Sequence, residues 1–470
     1  MSDLHYLSAV DAVDLFTSRE LSPVDLMAAV ISRAEAVEPA INAFPVTMYE
    51  SAMESAREAE KRYARGDARP LEGLPVAVKE EAPIAGQLNT LGSLLRRETV
   101  ADTTAVFVQR ILDAGGIVHA RSATPEFSSA PVTWSALWGV TRNPWNLDYS
   151  PGGSSGGSGA ALAAGSTTLA TGSDIGGSIR IPSSFCGVVG FKPPYGRVPE
   201  VALFNLDHYC HEGPLARTVA DCALLENVIA GPHPSDVASI RPKLEIPRTL
   251  EGVAGMRIAF SPDLGCFDVA PDVAASATEA ADRLRAAGAT VELVSLPWDL
   301  QTIKRAARIH FGAIMGASID VEFGELDDDA VTSYVREFVR EAKTIGKSDI
   351  VEGLVLEAGI YEPLGTILED YDALICPTFA VAGLPAAWTT TDPLPGRSTE
   401  DWLDVMMTLP FNIASRCPVV NVPAGRSSDG VPIGLSVVGR TFDDVTAFRV
   451  AAAHEAQLGW WADGGPRPAL

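Results

Sequence analysis

The sequence predicts an α/β fold: one large domain whose mixed, mostly parallel central β-sheet is covered by helices on both faces. Two observations lead there. Short apolar segments with strand character alternate with helical patterns along most of the 470 residues. No linker-like stretch and no internal repeat interrupts that alternation, so residues 1–470 read as one unit.

The elements follow in chain order. Residues 1–65 form a helical N-terminal segment. Ser22-Pro23 reads as an N-cap followed by proline at the first helical position. Behind it Val24, Met27, Val30, Ile31 and Ala34 recur at helical spacing. A second helix, rich in Ala, Glu and Arg, is expected over 47–65. Residues 73–79 (Gly-Leu-Pro-Val-Ala-Val-Lys) alternate like a short strand. Residues 103–114 read as a helix ended by Gly115-Gly116, and 117–120 as the next strand. Helix and strand alternate again over 158–170 and 216–230. Strands at 255–260 and 290–296 flank an Ala-rich helix at 272–287. Residues 300–360 are more charged and helical, and 380–400 form a Pro/Thr/Gly loop. Strands at 371–376, 418–423 and 432–438 complete the sheet. The acidic patch Glu322, Glu325, Asp327, Asp328 and Asp329 reads as a solvated loop or helix start, with a metal site as the alternative.

Composition excludes several classes. A hydrophobic fraction of 47% is too high for a disordered chain. With 36 basic and 60 acidic side chains the net charge is −24, which repels phosphate backbones, so no nucleic-acid partner is expected. The six cysteines are scattered without a Cys-x-x-Cys pair and read as small buried hydrophobes. The N-terminus lacks the pattern of a signal peptide, and no apolar run reaches the roughly 18 residues of a spanning helix. The expectation is a cytoplasmic protein, a monomer or homodimer.

The most informative stretch runs from Gly152 to Ser178. It holds nine glycines and six serines. A flexible linker fits poorly, because residues 160–170 inside it form an apolar helix-then-strand run. A nucleophile elbow matches at Gly152/Ser154/Gly156 and at Gly153/Ser155/Gly157, but loop residues precede it where a strand is needed. A phosphate loop lacks the Lys-Ser/Thr that would follow the glycines. The remaining reading is nucleophilic catalysis without histidine. Two glycines precede Ser178, so the backbone N–H groups of Ile175, Gly176, Gly177 and Ser178 can converge as an oxyanion nest. A serine needs a base. Lys79, at the end of an apolar strand, is the candidate, because burial penalises the ammonium.

These residues closely resemble the amidase signature family. The match runs over 73–79, 152–158, 172–182, 185–193 and 195–197, and returns more weakly at 376–378, 410–412, 418–425 and 432–440. The resemblance implies a Ser-cisSer-Lys triad. It places the base on Lys79, the relaying cis serine on Ser154 and the nucleophile on Ser178, with an interval of 178 − 154 = 24 residues. It makes 70–230 the catalytic core and 300–410 the variable, pocket-forming region, with Ser155 a supporting hydroxyl. Asp174 and Arg180 become a pair that orders the nest or a plain structural salt bridge. The implied substrate is a small amide, apolar or aryl, with esters and carbamates also possible; the chemistry uses no cofactor and no metal.

Some positions depart from the family pattern. Glu80-Glu81 follow Lys79 where Asp-Asn is common, and both are expected to turn away from the lysine. Pro194 stands where Thr is usual, and Ile181 where transamidase-type members carry Gln. The implied acyl pocket includes Ser128, Ser129, Ala130 and Trp134, with Trp138 nearby. His208, Cys210 and His211 lie close in sequence but lack standard zinc spacing. Two alternatives stay open: an amidotransferase-type subunit handling ammonia in a complex, and a non-catalytic binding protein on the same scaffold.

Overall fold

The computed structural model describes residues 4–470, apart from 328–329, 398–400 and 463. Its strands are β1 (Val46–Thr47), β2 (Pro75–Lys79), β3 (Ile117–Ser122), β4 (Trp134–Ser135), β5 (Gly139–Val140), β6 (Leu169–Ser173) and β7 (Val189–Lys192). Then come β8 (Glu212–Ala216), β9 (Arg257–Phe260), β10 (Thr290–Leu293), β11 (Ala373–Pro377), β12 (Val419–Arg426) and β13 (Pro432–Gly439). All but the β4–β5 ribbon join one eleven-stranded sheet in the order β1-β3-β2-β6-β8-β7-β12-β13-β11-β9-β10.

The sheet is mixed. Its parallel pairs fall into two blocks, β3-β2-β6 and β11-β9-β10. Antiparallel pairs join the blocks through β8, β7, β12 and β13. The parallel character expected from the helix–strand alternation is confined to those blocks. Where strands follow one another without a long helical crossover, as β12 and β13 do, antiparallel pairing results.

Both faces of the sheet are covered. Val76 and Val78 of β2 belong to the core cluster on one side of the sheet, which also holds Val108, Leu225, Leu284 and Phe448 from four helices. Ala77, between them, packs with Ala160 to Ala164 on the other. Residues 73–79 alternate in sequence, yet β2 is buried throughout. The alternation selects between two packed faces rather than between core and water.

The N-terminal segment folds as helices Ala9–Ser18, Pro23–Ile41 and Tyr49–Arg65. The Ser22 side chain accepts from Val24 N, as an N-cap does. The expected helix at 103–114 is shorter, Val106–Asp113. Within the acidic patch Glu322 lies in the helix Ala317–Phe323 and pairs with Arg96 at 3.0 Å; Asp328 and Asp329 lie outside the described residues. The six cysteines are free, and four are buried. Among the described residues no helix is long and apolar enough to cross a membrane.

Candidate active site

Lys79 closes β2, between the parallel neighbours β3 and β6. Its side chain is 1% exposed. Nζ donates to Ser154 Oγ at 2.7 Å and to Ser173 Oγ at 2.8 Å. Ser173 ends β6, so parallel pairing brings the two strand ends together. The chain then turns sharply. The Arg121 guanidinium collects the carbonyls of Lys79 (3.3 Å), Glu80 (3.1 Å) and Ala82. These bonds fix where Nζ lies.

Glu80 turns away as expected. Its carboxyl accepts from Thr90 N, and burial raises its pKa. Glu81 does not turn away. Its Oε1 lies 2.9 Å from Lys79 Nζ, and its Oε2 accepts from Ser128 Oγ. Oε1 makes no aligned hydrogen bond, so the contact is one of charge. The tight turn after β2 has to place one of two successive glutamates on the cavity side, and Glu80 is already held by Thr90.

Ser154 and Ser155 sit just before the helix Gly156–Ala164, and the peptide Gly153–Ser154 is cis. Glycine is required here for close approach. A Cβ on Gly153 would lie 2.4 Å from Val132 O, and one on Gly157 would lie 2.2 Å from Ala123 N. The two serine segments are joined by Ser155 N donating to Ser178 O at 3.2 Å. Ser155 Oγ also reaches Ser173 O at 3.4 Å. Ser178 is 8% exposed and faces a cleft.

The predicted nest is only partly free. Gly177 N donates to Asp174 Oδ1 at 2.8 Å, which removes it from the set. Among the described residues no acceptor takes the N–H of Ile175, Gly176 or Ser178. Asp174 orders this loop, accepting also from Ile179 N (3.2 Å) and Arg180 N (3.4 Å). Its carboxylate meets Arg180 bidentately, at 2.9 and 2.8 Å, with neither side chain exposed. Burial alone would raise the Asp174 pKa; Arg180 and Asn412 more than reverse this and hold it well below the carboxylate range. Asn412 closes the network, accepting from Arg180 at 2.6 Å and donating to Asp174 Oδ1 at 2.8 Å. The Asp174–Arg180 pair therefore holds the loop 174–180, with Asn412 bonded to both and Ser173 in contact with Lys79.

Ser128, Ser129 and Ala130 line the cleft over Ser178, with Phe311, Met315 and Trp402 opposite. Met315 is carried by a π-helical turn, Gly312–Gly316. Trp134 is not among the residues lining the cleft; it packs edge-on against Tyr334 and donates to Trp388 O at 2.9 Å. Trp138 likewise donates to Thr90 Oγ1 at 3.0 Å. Beyond Ser128, Ile175 and Met315 the cleft continues into a cavity of about 510 Å³ that reaches Ser154, Ser173 and Glu81. Its far wall holds Glu200 and Glu212. Burial pushes the Glu200 carboxyl up to about 7, and burial with the nearby Glu200 pushes Glu212 up as well.

His211 is buried between Asp174 O (3.0 Å) and Ser415 O (3.1 Å), and burial lowers its pKa to about 3. Asp207, His208 and His310 bring donor atoms within 4.8 Å of one another. They bond within the protein instead: His310 Nε2 to Asp207 Oδ1 at 2.7 Å, and His208 Nε2 to Glu357 Oε2 at 3.1 Å.

The family model "Amidase" matches residues 25–448. An acylamidase of Rhodococcus erythropolis is 35% identical over all of this chain and 98% of its own. A glutamyl-tRNA(Gln) amidotransferase subunit of Geobacter metallireducens is 33% identical over 97% of this chain and 98% of its own. Among solved structures, a bacterial aryl acylamidase of the amidase signature enzymes superposes with TM-score 0.91 at 28% identity, covering 98% of this chain and 99% of that one. Sequence, fold and relatives agree that this chain belongs to the amidase signature family and is a hydrolase of amide C–N bonds.

Proposed function

We propose that the chain hydrolyses apolar or aryl amides through an acyl-Ser178 intermediate, with Lys79 and Ser154 as its proton relay. The observation that carries this reading is the buried contact of 2.7 Å between Lys79 Nζ and Ser154 Oγ, one residue from the backbone bond that ties Ser155 to Ser178. Neutral Lys79 accepts a proton from Ser154 as Ser154 takes that of Ser178, and the Ser178 oxygen attacks the carbonyl carbon. The oxyanion is received by the N–H groups of Ile175, Gly176 and Ser178, each worth about 2.7–4 kcal/mol of barrier. Ser154 then returns a proton to the leaving amine, and water releases the acid. Apolar Phe311, Met315 and Trp402 beside Ser178 favour an apolar or aryl acyl group, in keeping with the acylamidase relatives. Esters and carbamates fit the same steps.

Ser178→Ala is expected to abolish turnover and labelling by a fluorophosphonate. Labelled or active Ser178→Ala protein overturns the assignment. A panel of anilides, short primary amides and aryl carbamates identifies the substrate class. The amidotransferase relatives support a second reading, ammonia transfer within a complex. A pull-down that returns a stable partner chain, together with no free amidase activity, favours it.

A further inference from the structure

Lys79 Nζ has three oxygen neighbours: Ser154 Oγ at 2.7 Å, Ser173 Oγ at 2.8 Å and Glu81 Oε1 at 2.9 Å. The two hydroxyls can donate or accept. A carboxylate oxygen has no proton to give. The lone pair of a neutral lysine therefore cannot point at Glu81 and is left to the serines. When Lys79 takes the relayed proton, it becomes an ammonium with a negative charge in direct contact. We propose that Glu81 is a positioning residue for the base: it supplies the counter-charge of the Lys79 ammonium formed during acylation. The proposal rests on the relay through Lys79, Ser154 and Ser178.

The carboxylate is held for this purpose. Ser128 Oγ donates to Glu81 Oε2, and Thr124 Oγ1 meets Ser128 Oγ at 2.9 Å. Glu81 is 15% exposed at the cavity wall, so water screens the pair little. Other titratable groups share the cavity. Glu200, Cys210 and Glu212 face Glu81 from the loop before β8 and from β8 itself, and Arg96 with Glu322 lines the outer part. Burial raises the Glu200 carboxyl, and burial with the nearby Glu200 raises Glu212; of the three glutamates Glu81 is the one in contact with the lysine. The proton balance is simple. Ser178 loses one proton to Ser154, Ser154 loses one to Lys79, and no proton moves to Glu81.

The test needs no knowledge of the substrate. The second-order rate of Ser178 labelling by an alkyl fluorophosphonate is measured against pH for wild type, Glu81→Gln and Glu81→Asp. An adjacent opposite charge typically favours the charged form by about 1–3 pH units. Glu81→Gln keeps the shape and removes the charge. Its acid limb is expected to move to lower pH by about one unit or more, while its alkaline plateau falls about tenfold because the base is weaker. Glu81→Asp keeps the charge and is expected to leave the limb near that of wild type. A slower Glu81→Gln enzyme with an unmoved acid limb overturns the proposal, since lost packing lowers rates without shifting a titration. The underlying reading fails separately: label found on Ser178→Ala protein, or unchanged labelling of Lys79→Ala, removes the relay whatever Glu81 does.

Discussion

Asp174 carries a dense set of contacts beside Ser178. It accepts three backbone N–H groups and a bidentate guanidinium, and it is fully buried. Asp174→Asn would leave Arg180 charged and without its counter-charge. Breaking a buried pair from one side typically costs about 3–5 kcal/mol. Denaturant unfolding of Asp174→Asn is expected to show a loss of that order, with kcat falling as the Gly177 turn loosens. A variant as stable as wild type would mean the pair is dispensable. At this scale the sequence was informative where a residue's neighbours lie close in the chain. Asp174, Gly177 and Arg180 span seven residues, so their association follows from one loop. Ser173 and Glu81 were harder to see. Their contact with Lys79 depends on strand pairing and on the direction of a turn, and neither leaves a local signal.

The helix Gly156–Ala164 shows what the glycines do at the scale of an element. Three of its nine residues are glycine, which disfavours a helix intrinsically. Packing overrides propensity, because the helix lies against backbone. A Cβ on Gly157 would meet Ala123 N at 2.2 Å and Ala123 O at 2.8 Å. Gly157→Ala is therefore expected to destabilise the fold by about 1–3 kcal/mol or more, the usual range for overpacking. Gly252→Ala serves as the control, having nothing within 4 Å of its new methyl. Thermal melts of the two variants test this; equal melting temperatures would show that the helix can shift at little cost. Element type was legible wherever the hydrophobic period was long, as in Pro23–Ile41 and Pro271–Ala286. Sheet direction was legible in the parallel blocks but not between them. β8, β7, β12 and β13 pair antiparallel, and that order is set by contacts far apart in the chain.

Buried titratable groups shape the stability of the whole molecule. Burial holds the Glu38, Glu200 and Glu455 carboxyls up at about 7, against 4.5 for an ordinary glutamate. Their contribution is complete below the unfolded value and is lost as pH rises through the folded one. Burial moves His119, His211 and His454 down to about 3, 3 and 4 from 6.5. Their contribution is complete above 6.5 and is lost as pH falls. Between about pH 5 and 6.5 the two sets oppose each other; from 6.5 to about 7 the glutamates prevail, and above about 7 buried Lys192, held down to about 7 from 10.5, adds stability as pH rises. Calorimetry is expected to show a melting temperature that is level between about pH 5 and 6.5 and then declines to about pH 7. Glu455→Gln keeps an acceptor for Val219 N, now met at 2.9 Å, and is expected to flatten the decline. A melting temperature that climbs between pH 6.5 and 7 would contradict this account.

By itself the sequence determined the α/β class and the family, and it singled out Lys79, Ser154 and Ser178, the residues we propose as the reactive ones. Those depend on residue type and short spacing: a buried strand ending in lysine, and glycine where backbones touch. The charge of −24 argued against nucleic acid but left the site's own electrostatics open. Only the tertiary structure decided that Glu81 faces the lysine, that Gly177 is committed to Asp174, and that Trp134 packs away from the cleft. Each of these depends on which of several neighbours, hundreds of residues apart or across a tight turn, wins a given hydrogen bond or contact. Local pattern carries no record of that competition, because it is settled by the packed sheet as a whole.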